Sequence, residues 1–152
     1  MSIIAVLEPN SLDAQLETEQ FTSDVAGAGA VVTFLGIVRT KSELGDTVDA
    51  LFLEHHRTLT RRSLEEIAAA CAERFDVTHV RVVHRSGTVH AGEPIVFVGA
   101  SAAHRRAALD AVDYLMDRLK TDAVFWKREL SGQNSRWIAA QATDYAWRDR
   151  WA

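Results

Sequence analysis

The chain has 152 residues, a formal net charge of -4 and a pI near 5.8, which excludes a general nucleic-acid binder because that function needs a basic footprint. Hydrophobic and charged contents of 47% and 25% are ordinary for a globular protein, and no apolar run is long enough to span a bilayer. The single cysteine, Cys71, rules out an internal disulfide.

The length predicts one domain over residues 1–152, able to bury a core without disulfides or metal. No basic-then-apolar leader opens the chain, so a cytoplasmic protein is expected.

Ser2 to Glu8 reads as a short apolar strand closed by Pro9-Asn10. Ser11 is placed to cap a helix through about Gln20. Gly27-Ala28-Gly29 opens the run Ala30 to Arg39, whose β-branched and aromatic residues predict a central strand. Gly36 within it signals a bulge or a close backbone approach. Gly45-Asp46 marks a turn, and the alternating stretch Thr47 to His55 is expected to pair with the preceding strand as a hairpin.

Thr60 to Phe75 is helical by pattern, with Leu64, Ile67, Ala68, Cys71 and Phe75 on one face. Val77 to Arg85 and Ile95 to Ala100 predict strands, with turns at Ser86-Gly87 and Gly92-Glu93-Pro94. Ser101 is expected to cap a long helix reaching about Lys120, with an apolar stripe from Ala107 to Leu119. Phe125 to Leu130 and Arg136 to Ala140 predict two last strands around a polar loop, Ser131 to Ser135, and the tail from about Gln141 reads as helical or frayed. The irregular interleaving of strands and helices favours α+β over a doubly wound parallel sheet.

The segment Leu119 to Leu130 stands out because Lys120 and Lys127 bracket a turn and an aromatic pair. Ammonium groups held beside apolar surface can have lowered pKa values and act as acids, bases or nucleophiles. They can also neutralise an anionic ligand, and a lysine in the last turn of a helix complements the macrodipole. On the predicted strand Phe125 to Leu130, Lys127 and Glu129 share a face, with Trp126 and Arg128 opposite.

At the other end of the long helix, His104-Arg105-Arg106 oppose the macrodipole, an arrangement that fits a bound phosphate or carboxylate or a solvated basic turn. Arg39 ends its strand beside a loop. His55 and His56 point to opposite sides of a strand, so they do not suit one metal ion. Cys71 falls on an apolar helix face and reads as a structural thiol. His79, His84 and His90 have no usable spacing. No resident cofactor and no metal site is expected.

Taken together, Gly29 to Arg39, Leu53 to His56, Thr60 to Ala68, Val82 to Arg105, Tyr114 to Glu129 and Arg136-Trp137 resemble the large, catalytic subunit of molybdopterin synthase. The resemblance runs from about Gly29 to Trp137 in the family's order. It implies a hammerhead-like α+β fold of mixed and antiparallel sheets with packed helices. It also implies a homodimer within a heterotetramer, completed by a small ubiquitin-like sulfur carrier whose C-terminal Gly-Gly bears a thiocarboxylate. The family converts cyclic pyranopterin monophosphate (precursor Z) to molybdopterin by adding two sulfurs. The resemblance assigns catalytic roles to Lys120 and Lys127. It assigns substrate binding to Arg39, His104, Arg105, Arg128 and Glu129, with Phe34 and Met116 as apolar pocket positions. Position 37 is Ile where relatives can carry Lys, and the loop Ser131 to Ser135 matches poorly.

With sulfur brought by the partner, no internal cysteine nucleophile is needed. The lysines are expected to stabilise oxyanions and move protons, or to be acylated transiently by the partner's C-terminus. His104 and Lys120 are sixteen residues apart on one helix, about 24 Å at 1.5 Å per residue. One ligand cannot span that distance, so either two separate sites exist or one site is completed across a dimer; the second is expected, with His104 and Arg105 of one protomer meeting Lys120 and Lys127 of the other. Two other readings are a non-catalytic binding module for a ubiquitin-like protein and, ranked lower for want of a phosphate loop or carboxylate cluster, a phosphate-ester hydrolase.

Overall fold

Strand-forming runs and amphipathic helices sort into two four-stranded sheets and four helices in a computed structural model that describes residues 1–152. In chain order they are β1 (Ser2–Glu8), α1 (Ala14–Asp24), β2 (Ala30–Ile37), β3 (Ala50–His55), α2 (Leu59–Arg74), β4 (His79–Arg85), β5 (Gly87–His90), β6 (Pro94–Ala102), α3 (Arg105–Asp122), β7 (Phe125–Ser131), β8 (Asn134–Ile138) and α4 (Ala142–Asp149). The expected α+β class holds, and no helix is long and apolar enough to cross a membrane.

The first sheet has the order β1-β4-β6-β2. β1 and β4 run parallel, and the other pairs are antiparallel. Its central strands alternate, so Val80, Val82, Val98 and Ala100 face α2 and α3, while Val83 and Phe97 face Phe21 of α1. Gly99 lets α1 approach closely, since a Cβ there would lie 2.8 Å from the Phe21 ring. The larger core joins Leu64, Ile67 and Leu115 to this sheet, all at most 1% exposed. Each such side chain contributes roughly 1.5–3 kcal/mol through burial.

The second sheet, β5-β3-β7-β8, is wholly antiparallel. Several sequence expectations change here. β3 does not form a hairpin with β2; it pairs with β5 and β7. The connection between β2 and β3 keeps one isolated bridge, Lys41 to Thr47, and carries the chain from one sheet to the other. The stretch after Ser86 is a short strand rather than only a turn. The expected polar loop Ser131 to Ser135 tightens to a turn, since Ser131 pairs with Asn134 around Gly132 at φ +59°.

Two caps also differ. Asp13 rather than Ser11 caps α1, its carboxylate accepting from the Leu16 N–H at 3.0 Å. Ser101 lies inside β6 instead of capping α3, which begins after His104. The reason is a buried polar contact: the Ser101 hydroxyl is 2.8 Å from that of Thr78 and is satisfied within the sheet. The tail is helical, and Trp151 beyond it packs edge-on against Phe75 and Tyr114 while its indole N–H donates to Asp117 at 2.7 Å.

Candidate active site

The two sheets meet beneath the C-terminal end of α3, and a pocket of about 200 Å³ opens there. β2 supplies Phe34 and Gly36, followed by Arg39 beyond its end; α3 supplies Met116 and Lys120; β7 supplies Lys127 and Glu129. Gly36 is where the β2–β6 register shifts, and a Cβ on it would lie 2.7 Å from Val96 Cγ1. The signal for a bulge or close approach therefore holds, and the bulge shapes the pocket wall.

The turn between the two lysines is held from α2. The buried Thr60 hydroxyl donates to the Val124 carbonyl at 2.6 Å, and the Val124 N–H donates to the Ser63 hydroxyl at 3.0 Å. Both backbone groups of Val124 are thus satisfied by side chains at the start of a packed helix. That fixes where α3 ends and β7 begins, and so the relation of Lys120 to Lys127.

Neither lysine's ammonium has a hydrogen bond or ion pair with another protein group, and both residues line the pocket. Burial, followed by repulsion from Lys120, lowers the Lys127 pKa from 10.5 to about 8, with Asp144 of α4 opposing the shift. A lysine in that range can give a proton as the ammonium and accept one as the amine near neutral pH. Glu129 does not pair with Lys127 as the shared face suggested. Its carboxylate takes the guanidinium of Arg136, its cross-strand neighbour on β8.

Lys120 also lines two neighbouring cavities. One, of about 610 Å³, shares Arg39 and Glu129 with the first pocket and reaches Thr143 and Asp144. The other is a groove lined by Phe125, Trp126, Trp137 and Tyr145 that shares Lys127. Arg39 is exposed and meets Glu43 at 2.7 Å, a surface pair that a stronger anion can displace.

Phe34, Arg39, Met116, Lys120, Lys127 and Glu129 are thus brought together. Arg128 lies on the opposite face of β7, its guanidinium between the rings of Phe52 and Trp137 at 5.3 and 5.2 Å. His104 and Arg105 sit exposed at the far end of α3 and line none of these three cavities. Cys71 is fully buried, with burial pushing its thiol up to about 12, so it is no nucleophile at neutral pH. His84, without a usable spacing in the sequence, lines the pocket. The available signal was its place in the alternating row Val80, Val82, His84 at a strand end.

The sequence profile described as MoaE protein matches residues 7–122. The chain belongs to the MoaE family. A molybdopterin synthase catalytic subunit from Vibrio cholerae serotype O1 is 49% identical over 124 residues, 82% of either chain. One from Pseudomonas aeruginosa is 40% identical over 141 residues, 93% of either chain. The solved molybdopterin biosynthesis MoaE protein from Burkholderia ambifaria MC40-6 superposes with a TM-score of 0.80 at 35% identity, covering 99% of this chain and 98% of that one. The lysine pocket therefore sits on a MoaE fold, within a family that includes molybdopterin synthase catalytic subunits.

Proposed function

We propose that this chain is the catalytic subunit of a molybdopterin synthase that converts precursor Z to molybdopterin. Each of the two sulfurs comes from the thiocarboxylated C-terminus of a small ubiquitin-like carrier subunit, one carrier being converted to the carboxylate per sulfur transferred. The observation that carries this reading is the pair of unpaired lysines, Lys120 lining three adjoining cavities and Lys127 lining two of them. Arg39 and Lys120 bind the cyclic phosphate. Phe34 and Met116 line the apolar wall beside the ring system. The aromatic groove through Trp126 and Trp137 gives an extended C-terminal tail a path to the same lysines. Lys127 moves protons as each sulfur is transferred, and Lys120 stabilises the oxyanion that develops.

The site is completed by a second copy. β2 is an edge strand with Val31, Phe34, Leu35 and Ile37 all exposed by at least 38%. An apolar open edge invites pairing. α3 packs along β2, with His104 near the start of the strand and Lys120 near its end. Two copies apposed through β2 in opposite directions place His104 and Arg105 of one beside Arg39 and Lys120 of the other.

The deciding experiment incubates the purified chain with precursor Z and the thiocarboxylated carrier and assays dithiolene formation. Product is expected from the wild type and not from Lys120→Ala or Lys127→Ala. Near-normal turnover in both variants refutes the assignment, as does a wild-type chain that binds the carrier but makes no product.

A further inference from the structure

His84 closes the helix-facing row of β4 and is 5% exposed. Its ring stacks on Phe125 with centroids 4.3 Å apart and planes 26° from parallel. Nδ1 lies 2.8 Å from the carbonyl oxygen of Arg85. A carbonyl only accepts, so Nδ1 carries the proton and Nε2 keeps its lone pair. Burial first, and the nearby Lys127 charge second, hold the imidazole pKa down at about 3, so the ring is neutral across the physiological range. Nε2 has no hydrogen-bond partner within the chain, while the residue lines the pocket that holds Lys120 and Lys127.

The character of that pocket makes the free lone pair informative. Arg39, Lys120 and Lys127 are all donors, and one oxygen of the Glu129 carboxylate is taken by Arg136. His84 supplies a neutral, unpaired acceptor in a pocket whose other charged groups are three cations and Glu129, fixed in ring orientation by the stack and in tautomer by the Arg85 carbonyl. Nε2 opens onto the pocket rather than being sealed in the core, so a ligand that excludes water there without supplying a donor forfeits a hydrogen bond, and one that supplies it gains both affinity and selection.

We propose that His84 Nε2 reads the substrate, accepting a hydrogen bond from a ring N–H, amino or hydroxyl group of the pterin while Arg39 and the lysines hold its anionic end. The inference rests on the precursor Z reading above and adds a determinant of specificity to it. A heterocycle presenting a donor at that point is favoured over an equally anionic molecule without one.

Two substitutions separate this role from a structural one. His84→Asn keeps a donor at the Nδ1 position for the Arg85 carbonyl and loses the acceptor. His84→Gln gives up that anchor and places an amide oxygen near the Nε2 position. The chain is studied in complex with the carrier bearing an ordinary carboxylate terminus, so that ligand binds without turnover. Precursor Z is expected to bind His84→Asn about tenfold more weakly than wild type, the scale of one lost hydrogen bond in a closed site. His84→Gln recovers most of that affinity, and inorganic phosphate binds all three proteins alike. Equal binding of precursor Z by His84→Asn and wild type overturns the inference alone. So does weaker binding by His84→Gln than by His84→Asn, which assigns His84 only to holding the Arg85 carbonyl. A wild-type complex that does not bind precursor Z overturns the substrate reading and this inference with it.

Discussion

Lys120 in the last turn of α3 and Lys127 on β7 line one pocket with no carboxylate paired to either. Burial is the main reason the Lys127 pKa falls to about 8, repulsion from Lys120 comes next, and Asp144 pulls the other way. Lys120→Ala therefore raises the Lys127 pKa, though not to 10.5, because burial remains. Asp144→Asn lowers it further. Titration of the labelled lysine side-chain carbons by NMR reads both shifts. Movement of Lys127 in the same direction in the two variants contradicts this electrostatic account.

The same shift carries a stability cost. Between about pH 8 and 10.5 the unfolded chain holds more protons on Lys127 than the folded one, so stability rises with pH through that window. Below pH 8 the folded protein bears the full penalty of the buried charge, on the order of 3 kcal/mol at about 1.36 kcal/mol per unit. Lys127→Met removes the charge and keeps the apolar stem. It is expected to be more stable than wild type at pH 7 by up to about 3 kcal/mol, to lose that advantage near pH 10.5, and to make no product. Denaturant titrations at the two pH values, run beside a turnover assay, test the pairing of gained stability with lost activity.

Thr60 joins α2 to the turn between the lysines. Its hydroxyl donates to the Val124 carbonyl and accepts from the His56 N–H at 2.8 Å, and the residue is fully buried. Thr60→Val keeps the shape and leaves both backbone groups unpaired, at a cost of about 2–3 kcal/mol. Because the anchor fixes the approach of Lys120 to Lys127, product formation at a temperature where the variant is fully folded should also fall. Thermal unfolding together with turnover measured well below the midpoint checks both halves. A destabilised variant with wild-type turnover would limit Thr60 to stability.

Much of this arrangement could be read from the residues. The segment Leu119 to Leu130 gave the two lysines, and alternation on β7 correctly set Lys127 and Glu129 on one face with Arg128 behind. Gly36 marked its bulge because a missing side chain inside a β-branched run needs a reason. What failed was non-local. The partner of β3 is chosen by sheet assembly with β5 and β7, and no turn signal between β2 and β3 encodes that choice. Ser101 was misplaced because a capping residue type also serves as a buried hydroxyl between strands. His84 went unused because its neighbours in space, Phe125 and Lys127, lie about forty residues away in sequence.

The separation of His104 from Lys120 along α3 leads to the sharpest test of assembly. His104→Ala and Lys120→Ala each disable both sites of a two-fold dimer if every site draws one residue from each protomer. In a mixed dimer of the two variants, one site collects both substitutions and the other collects neither. Random mixing makes half of the dimers mixed, so activity should return to about a quarter of wild type. Co-refolding the two inactive chains and measuring product formation with the thiocarboxylated carrier reads this directly. If each chain instead used its own His104, every site in the mixture would carry one defect and no activity would return. Recovery on mixing therefore assigns the two ends of α3 to one shared site, and its absence separates them.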